Sequence, residues 1–232
     1  MTQRTILAGK NQTIIIKVGG SVTVRGHDSD QVIAESKDIG GLILEQRSES
    51  EIGRARAAIG DHILFDWKIK VPSLGEKKAE NEVVEVQMST GGQVRVPFES
   101  NLKVYAGKGI DVQAVQGQVD AYSGLNLSMQ DVYCLGNVSA GGAMNIDCQT
   151  MIGKDVTFSA GSDLRFHVAD LTSARLRVKD LGGYWEARVG EGEKSVYLKS
   201  GGDVTFVTDQ KIEALPPNYV LGKIEKTDKK SI

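Results

Sequence analysis

NLKVYAGKGIDVQAVQGQVDAYSGLNLSMQDVYCLGNVSAGG, residues 101–142, decides the reading of this chain. A small residue followed by glycine returns at Ala106-Gly107, Ser123-Gly124 and Ala140-Gly141, with glycines 17 residues apart. Outward from this stretch the pair recurs at Ala160-Gly161, Leu181-Gly182 and Ser200-Gly201, in steps of 20, 21 and 19 residues. Between the pairs, apolar residues alternate with polar ones. Alternate side chains along a strand share one face. Val104/Ala106, Ile110/Val112, Val119/Ala121, Leu127/Met129, Phe158/Ala160 and Leu164/Phe166 therefore read as inward pairs. Fixed-period glycine turns between such strands predict a β-solenoid. Glycine is expected at the turns because it supplies positive φ.

The same alternation extends toward the N-terminus. Ile14, Ile16 and Val18, then Val22 and Val24, point to two strands broken at Gly19-Gly20, and GHDSD (Gly26–Asp30) reads as a turn cluster. HILFDWKIKV (His62–Val71) reads as a strand, and SESEIGRARAAIG (Ser48–Gly60) as helical turns or a polar hairpin. PSLGEKKAENE, residues 72–82, has proline, charge and no apolar period, so an exposed loop is expected.

The expected class is all-β: a single-stranded β-solenoid (β-helix) of stacked short strands with Gly-rich turns, an irregular N-terminal insertion and a C-terminal tail. The solenoid domain spans 1–207, with N-terminal strands at 12–71, the loop at 72–82 and the main repeats at 83–207. Residues 208–232 form a tail or cap, with Pro216-Pro217 in it ending the solenoid. Within it YVLGKI (Tyr219–Ile224) reads as one more strand.

Two stretches carry a family resemblance. GSVTVRG (Gly20–Gly26) followed by DSDQV (Asp28–Val32), and VPFESNLKV (Val96–Val104) leading into GQVDAYSGLNL (Gly117–Leu127), resemble the bacterial putative-adhesin family of domains of unknown function. The resemblance covers most of residues 12–207 and rests on structural glycines and alternation. It implies a β-solenoid used in surface association, envelope-linked roles or sensing. The architecture also resembles that of bactofilins.

Chemistry is sparse. His27, His62 and His167 are the three histidines, and no two stand at ligand spacing; His27 lies beside Asp28 and Asp30. VGGSV and YAGKGID lack the spacing of a phosphate loop. Aspartates are scattered over the repeats without an evident histidine partner, and no nucleophile motif is present, so no catalysis, metal or cofactor is expected. Cys134 and Cys148 read as structural thiols. The 232-residue chain has a net charge of −2, which gives no general electrostatic case for nucleic acid. No stretch is long and apolar enough for a membrane helix or a leader, so the expectation is cytoplasmic, or the cell surface if a leader has been removed.

Tyr105 and Tyr122 stand 17 residues apart and each falls between inward residues, so they should stack on an outer face. Tyr184-Trp185 breaks the alternation and should expose one ring. These four are the candidate outer contacts, and Tyr219, Val220, Leu221 and Ile224 are the candidate assembly arm. Two readings follow. One is a structural protein that self-assembles into oligomers or filaments through solenoid ends and tail, its partner being itself. The other is an adhesin-like module that binds a glycan or envelope polymer through the aromatic face.

Overall fold

The computed structural model describes residues 1–9, 11–37, 41–48, 55–59, 62–67, 82–150, 155–171, 174–181, 183–189, 194–210, 212–214 and 223–225. The chain is all-β, and nineteen strands join one sheet that does not close. Among the described residues there is no helix.

Two parallel ladders organise the sheet. In the first, β2 (Thr13–Val18) pairs with β10 (Asn101–Ala106), which pairs with the second half of β11 (Ile110–Ser123). The second half of β12 (Leu127–Ala140), β14 (Asp155–Ala160), β18 (Lys194–Ser200) and β16 (Ala174–Asp180) follow in that order. In the second ladder, β3 (Val22–His27) pairs with the first half of β11, followed by the first half of β12, β13 (Met144–Thr150), β15 (Leu164–Asp170), β19 (Val204–Thr208) and β21 (Lys223–Glu225). One glycine-containing turn takes the chain from the first ladder to the second at each rung from β2–β3 to β18–β19.

The alternation sets the interior. Val104, Ala106, Val119, Ala121, Val138 and Ala140 on the first ladder are buried. So are Ile110, Val112, Leu127, Met129, Met144 and Ile146 on the second. They join a single apolar cluster running the length of the stack. Toward its C-terminal end, Phe158, Phe166 and Phe206 are fully buried, with ring centroids 4.7 Å apart for Phe158–Phe166 and 5.9 Å for Phe166–Phe206. Such off-centre aromatic contacts add to the burial of the rings themselves.

The turn glycines answer to crowding rather than to φ. None of Gly107, Gly124, Gly141, Gly161 and Gly201 has a positive φ, contrary to expectation. Each instead lies against the glycine of the rung before: a Cβ on Gly107 would sit 2.4 Å from the Gly19 carbonyl oxygen, and on Gly161 2.0 Å from that of Gly141. Their amides continue the ladder through the turn, from Gly107 N to Val18 O and from Gly124 N to Ala106 O, both at 2.9 Å. Positive φ occurs elsewhere, at Ala114 (55°) and Asp131 (54°), which bend β11 and β12 at equivalent points on adjacent rungs.

The glycine ladder steps from Gly161 directly to Gly201, and Leu181 of the expected Leu181-Gly182 pair comes beyond that step rather than within it, its N–H donating to Gly202 O at 3.1 Å. The reason is spatial order. β18 and β19 stack on β14 and β15, while the earlier β16 lies outside β18 and turns back into β17 (Gly183–Val189), antiparallel to it. The N-terminal end shows the same inversion: β8 (Glu82–Met88) and β9 (Gly92–Pro97) lie outside β2 and β3.

Antiparallel strands then cover these outer rungs. β5 (Leu42–Ser48) pairs with β8, β4 (Gln31–Ser36) with β9, and β1 (Thr2–Leu7) with β4. At the other end β20 (Ile212–Ala214) pairs antiparallel with β17.

For residues 48–60, left open between helical turns and a hairpin, the structure has β6 (Ala55–Ile59) antiparallel to β7 (His62–Trp67) as a hairpin separate from the main sheet. The expected loop at 72–82 lies outside the described residues apart from Glu82, which opens β8. Pro216-Pro217 also lies outside them.

Candidate binding surface

Alternation that buries one set of side chains presents the other. On the first ladder the outward register runs Lys17, Tyr105, Tyr122, Ser139, Ser159, Lys199, one residue per rung. Rungs are about 4.8 Å apart, close to the thickness of a stacked ring pair. The rings of Tyr105 and Tyr122 lie 5.3 Å apart and 7° from parallel. Both are half-buried. Tyr105 packs on a small outer cluster of Ile15 and Val83, so its inner side is a structural support and Tyr122 is the more open end. Burial raises both phenol pKa values, helped at Tyr105 by Tyr122 and Asp120 and at Tyr122 by Asp120. Both hydroxyls stay protonated at neutral pH and can donate hydrogen bonds.

Beside the stack, Lys17 Nζ contacts Glu85 Oε1 at 2.5 Å, and Arg47 lies 3.3 Å from Glu85 Oε2. Burial of the Glu85 carboxyl opposes its ionisation. Hydrogen bonds from Lys17 and Gln87 and the charges of Lys17 and Arg47 outweigh that, and its pKa falls below the ordinary carboxylate value. This buried pair fastens β8 to β2 beneath the outer surface.

Tyr184 belongs to the same outward register but far from the stack. It lies opposite Lys179, which lies opposite Lys199. Tyr184 is 47% exposed, and its hydroxyl donates to Glu186. Of the four candidate outer contacts, Tyr105 and Tyr122 form the stacked pair and Tyr184 stands apart from it. The Trp185 side chain lies outside the described residues, as do Tyr219, Val220 and Leu221. Of the expected arm, Ile224 is placed in β21 opposite Phe206.

The second ladder carries a different surface. Thr23, Asp111, Ser128, Asn145 and Arg165 stand in register along a groove of about 610 Å³, bordered at the turns by Asn126 and Asp163. Ser21, Asn126 and Asp163 brace those turns: Asn126 Oδ1 accepts from Ala143 N at 3.0 Å and Asp163 Oδ1 from Asp203 N at 3.1 Å.

One pairing escaped the sequence reading. His167 Nδ1 lies 3.0 Å from Asp147 Oδ1 on the adjacent rung. The 20-residue step between coils hides it, because the neighbouring coils repeat at 17. The register neighbours of His167 are Asp147 and Val207. His27 Nε2 lies 2.7 Å from the Gln31 carbonyl oxygen across the β3–β4 turn. Among the described residues no three His, Cys, Asp or Glu side chains gather as metal ligands. Cys148 is a free, buried thiol whose pKa burial, with help from Asp147, pushes up to about 12.

No family model and no curated protein matches the chain. A solved structure described as a putative cell adhesion protein from Clostridium sporogenes ATCC 15579 is similar at 7% identity, covering 89% of this chain and 99% of that one, with a TM-score of 0.40.

Proposed function

We propose that the chain is a non-catalytic β-solenoid whose lateral surface is an adhesin-like binding module for a glycan or cell-envelope polymer. The observation that carries this reading is the parallel stack of Tyr105 and Tyr122 on the outside of the first ladder. Flat aromatic area held rigid by its neighbours binds a sugar ring at small entropic cost, and the protonated hydroxyls supply polar contacts at the edge. The in-register parallel pairing at 17-residue steps supports the solenoid. The antiparallel strands over the outer rungs support use of the flanks rather than the ends. Replacing both tyrosines with alanine should abolish retention on a glycan column while leaving the thermal transition cooperative. Retention equal to that of the unaltered chain overturns the reading.

Self-assembly is the second reading, and one edge favours it. β1 pairs with β4 on one side, and Leu7 at its end is 70% exposed. An edge strand with unpaired amides is a template for a second copy. Light scattering over a wide concentration range tests it, and a constant monomer mass removes it.

A further inference from the structure

The strands outside the Gly161–Gly201 step carry a charge pattern unlike the rest of the molecule. On β16, Arg175, Arg177 and Lys179 face outward, alternating with buried Leu176 and Val178. Register places Arg188 beside Arg175 on the β17 side and Lys199 beside Lys179 on the β18 side. Tyr184 and Tyr197 occupy two of the remaining positions, Glu186 is the single outward carboxylate on these three strands, and Glu213 of β20 stands opposite Arg188 at their border. Five cations against Glu186 within the grid and Glu213 at its border, on a protein of net charge −2, is a local concentration of positive charge. Neighbouring cations across strands stand about 4.8 Å apart and along a strand about 6.8 Å apart. Arg175, Lys179, Arg188 and Lys199 are all exposed.

Glu186 demonstrates what this array accepts. Arg175 Nε donates to Glu186 Oε2 at 3.0 Å, its NH2 group contacts the same oxygen, and Arg177 Nε lies 3.6 Å from Oε1. A carboxylate is thus already seated among the guanidinium groups. The forked donors of arginine match carboxylate geometry. Around this internal carboxylate, Lys179 and Lys199 leave positive charge in excess.

We propose that the outward grid of β16, β17 and β18 is a docking surface for a polyuronate, an acidic polysaccharide whose carboxylates repeat along an extended chain. Charge complementarity and the carboxylate seated between Arg175 and Arg177 select this occupant. The surface does not favour single-stranded nucleic acid, which needs aromatic platforms for successive bases. Here Tyr197 and Tyr184 are two strands apart, and the Tyr184 hydroxyl is tied to Glu186.

The test is affinity electrophoresis of the whole chain through gels containing polygalacturonate, with neutral dextran and oligo-deoxythymidine as parallel arms. The unaltered chain should be retarded by polygalacturonate and not by dextran, and the retardation should fade as salt is raised. The double variant Lys179→Glu, Lys199→Glu should lose about tenfold or more in affinity. Glu186→Gln should bind more tightly, since it removes the carboxylate that competes for Arg175 and Arg177. Tyr105→Ala with Tyr122→Ala should leave this retardation unchanged, so that failure of the aromatic site and failure of this one are distinguishable. The lysines are exposed and circular dichroism melts check that the variants fold. Absent retardation, retardation that survives both charge reversals, or tighter binding to oligo-deoxythymidine through the same lysines overturns the proposal.

Discussion

Gly124 stands on Gly107 so closely that a Cβ there would lie 2.2 Å from the Gly107 carbonyl oxygen. The obstacle is backbone, which cannot swing aside as a side chain can. Gly124→Ala must therefore push two rungs apart. A loss of about 1–3 kcal/mol is expected from overpacking of this kind, read from urea unfolding midpoints at constant slope. The same substitution at Leu125, which is 55% exposed, should cost little.

Ala114 pays for its left-handed conformation. At φ 55° its methyl group crowds the following carbonyl, which costs an L-residue about 1–2 kcal/mol. Ala114→Gly relieves that strain while adding freedom to the unfolded chain, so a net gain of about 0.5–1 kcal/mol is expected. A thermal scan should show a higher midpoint; a lower one would mean that the methyl group supplies packing that outweighs the strain.

Phe166 touches both Phe158 and Phe206 at full burial. Phe166→Ala should lose about 3–5 kcal/mol, the range for removing a buried aromatic ring. Phe166→Leu should retain most of the stability. Denaturant titration of the pair separates cavity formation from a general intolerance of change at that rung.

The Glu85 carboxylate makes stability depend on pH with a definite sign. Its pKa is lowered in the folded chain, so its contribution is fully present above the ordinary carboxylate value and is lost as pH falls through the folded value. The stability difference between the unaltered chain and Glu85→Gln should be constant above about pH 5 and shrink on acidification. A difference that grows in acid would reverse the assignment.

Cys148 should be silent to thiol reagents in the folded state. Its buried thiol, with a pKa of about 12, presents almost no thiolate at neutral pH. Site-resolved mass spectrometry after brief alkylation should find it unmodified until denaturant is added.

The inward pairs were legible in the sequence because burial acts residue by residue: a strand that hides Leu164 and Phe166 must show Arg165. The facing of Tyr105 and Tyr122 was legible for the same reason, with equal 17-residue coils supplying the register. Spatial order was not legible. Nothing local distinguishes a strand that stacks on its predecessor from one that leaves a place for a later strand, as β16 does for β18. The step from Gly161 to Gly201 therefore divided into two plausible coils around Gly182. The cationic grid was half visible in ARLRVKD (Ala174–Asp180), whose alternation exposes Arg175, Arg177 and Lys179. Its other members, Arg188 and Lys199, join only through the β17 and β18 registers.

A parallel stack has a direction, and copies with matching directions can add head to tail without limit. Here β4 and β5 run against β9 and β8, and β17 and β20 continue the reversal at the far side of the first ladder. The parallel register of the first ladder therefore ends, on both sides, in strands of the chain's own reversed polarity. On that ladder the chain consequently counts its own rungs: their number is written in its sequence.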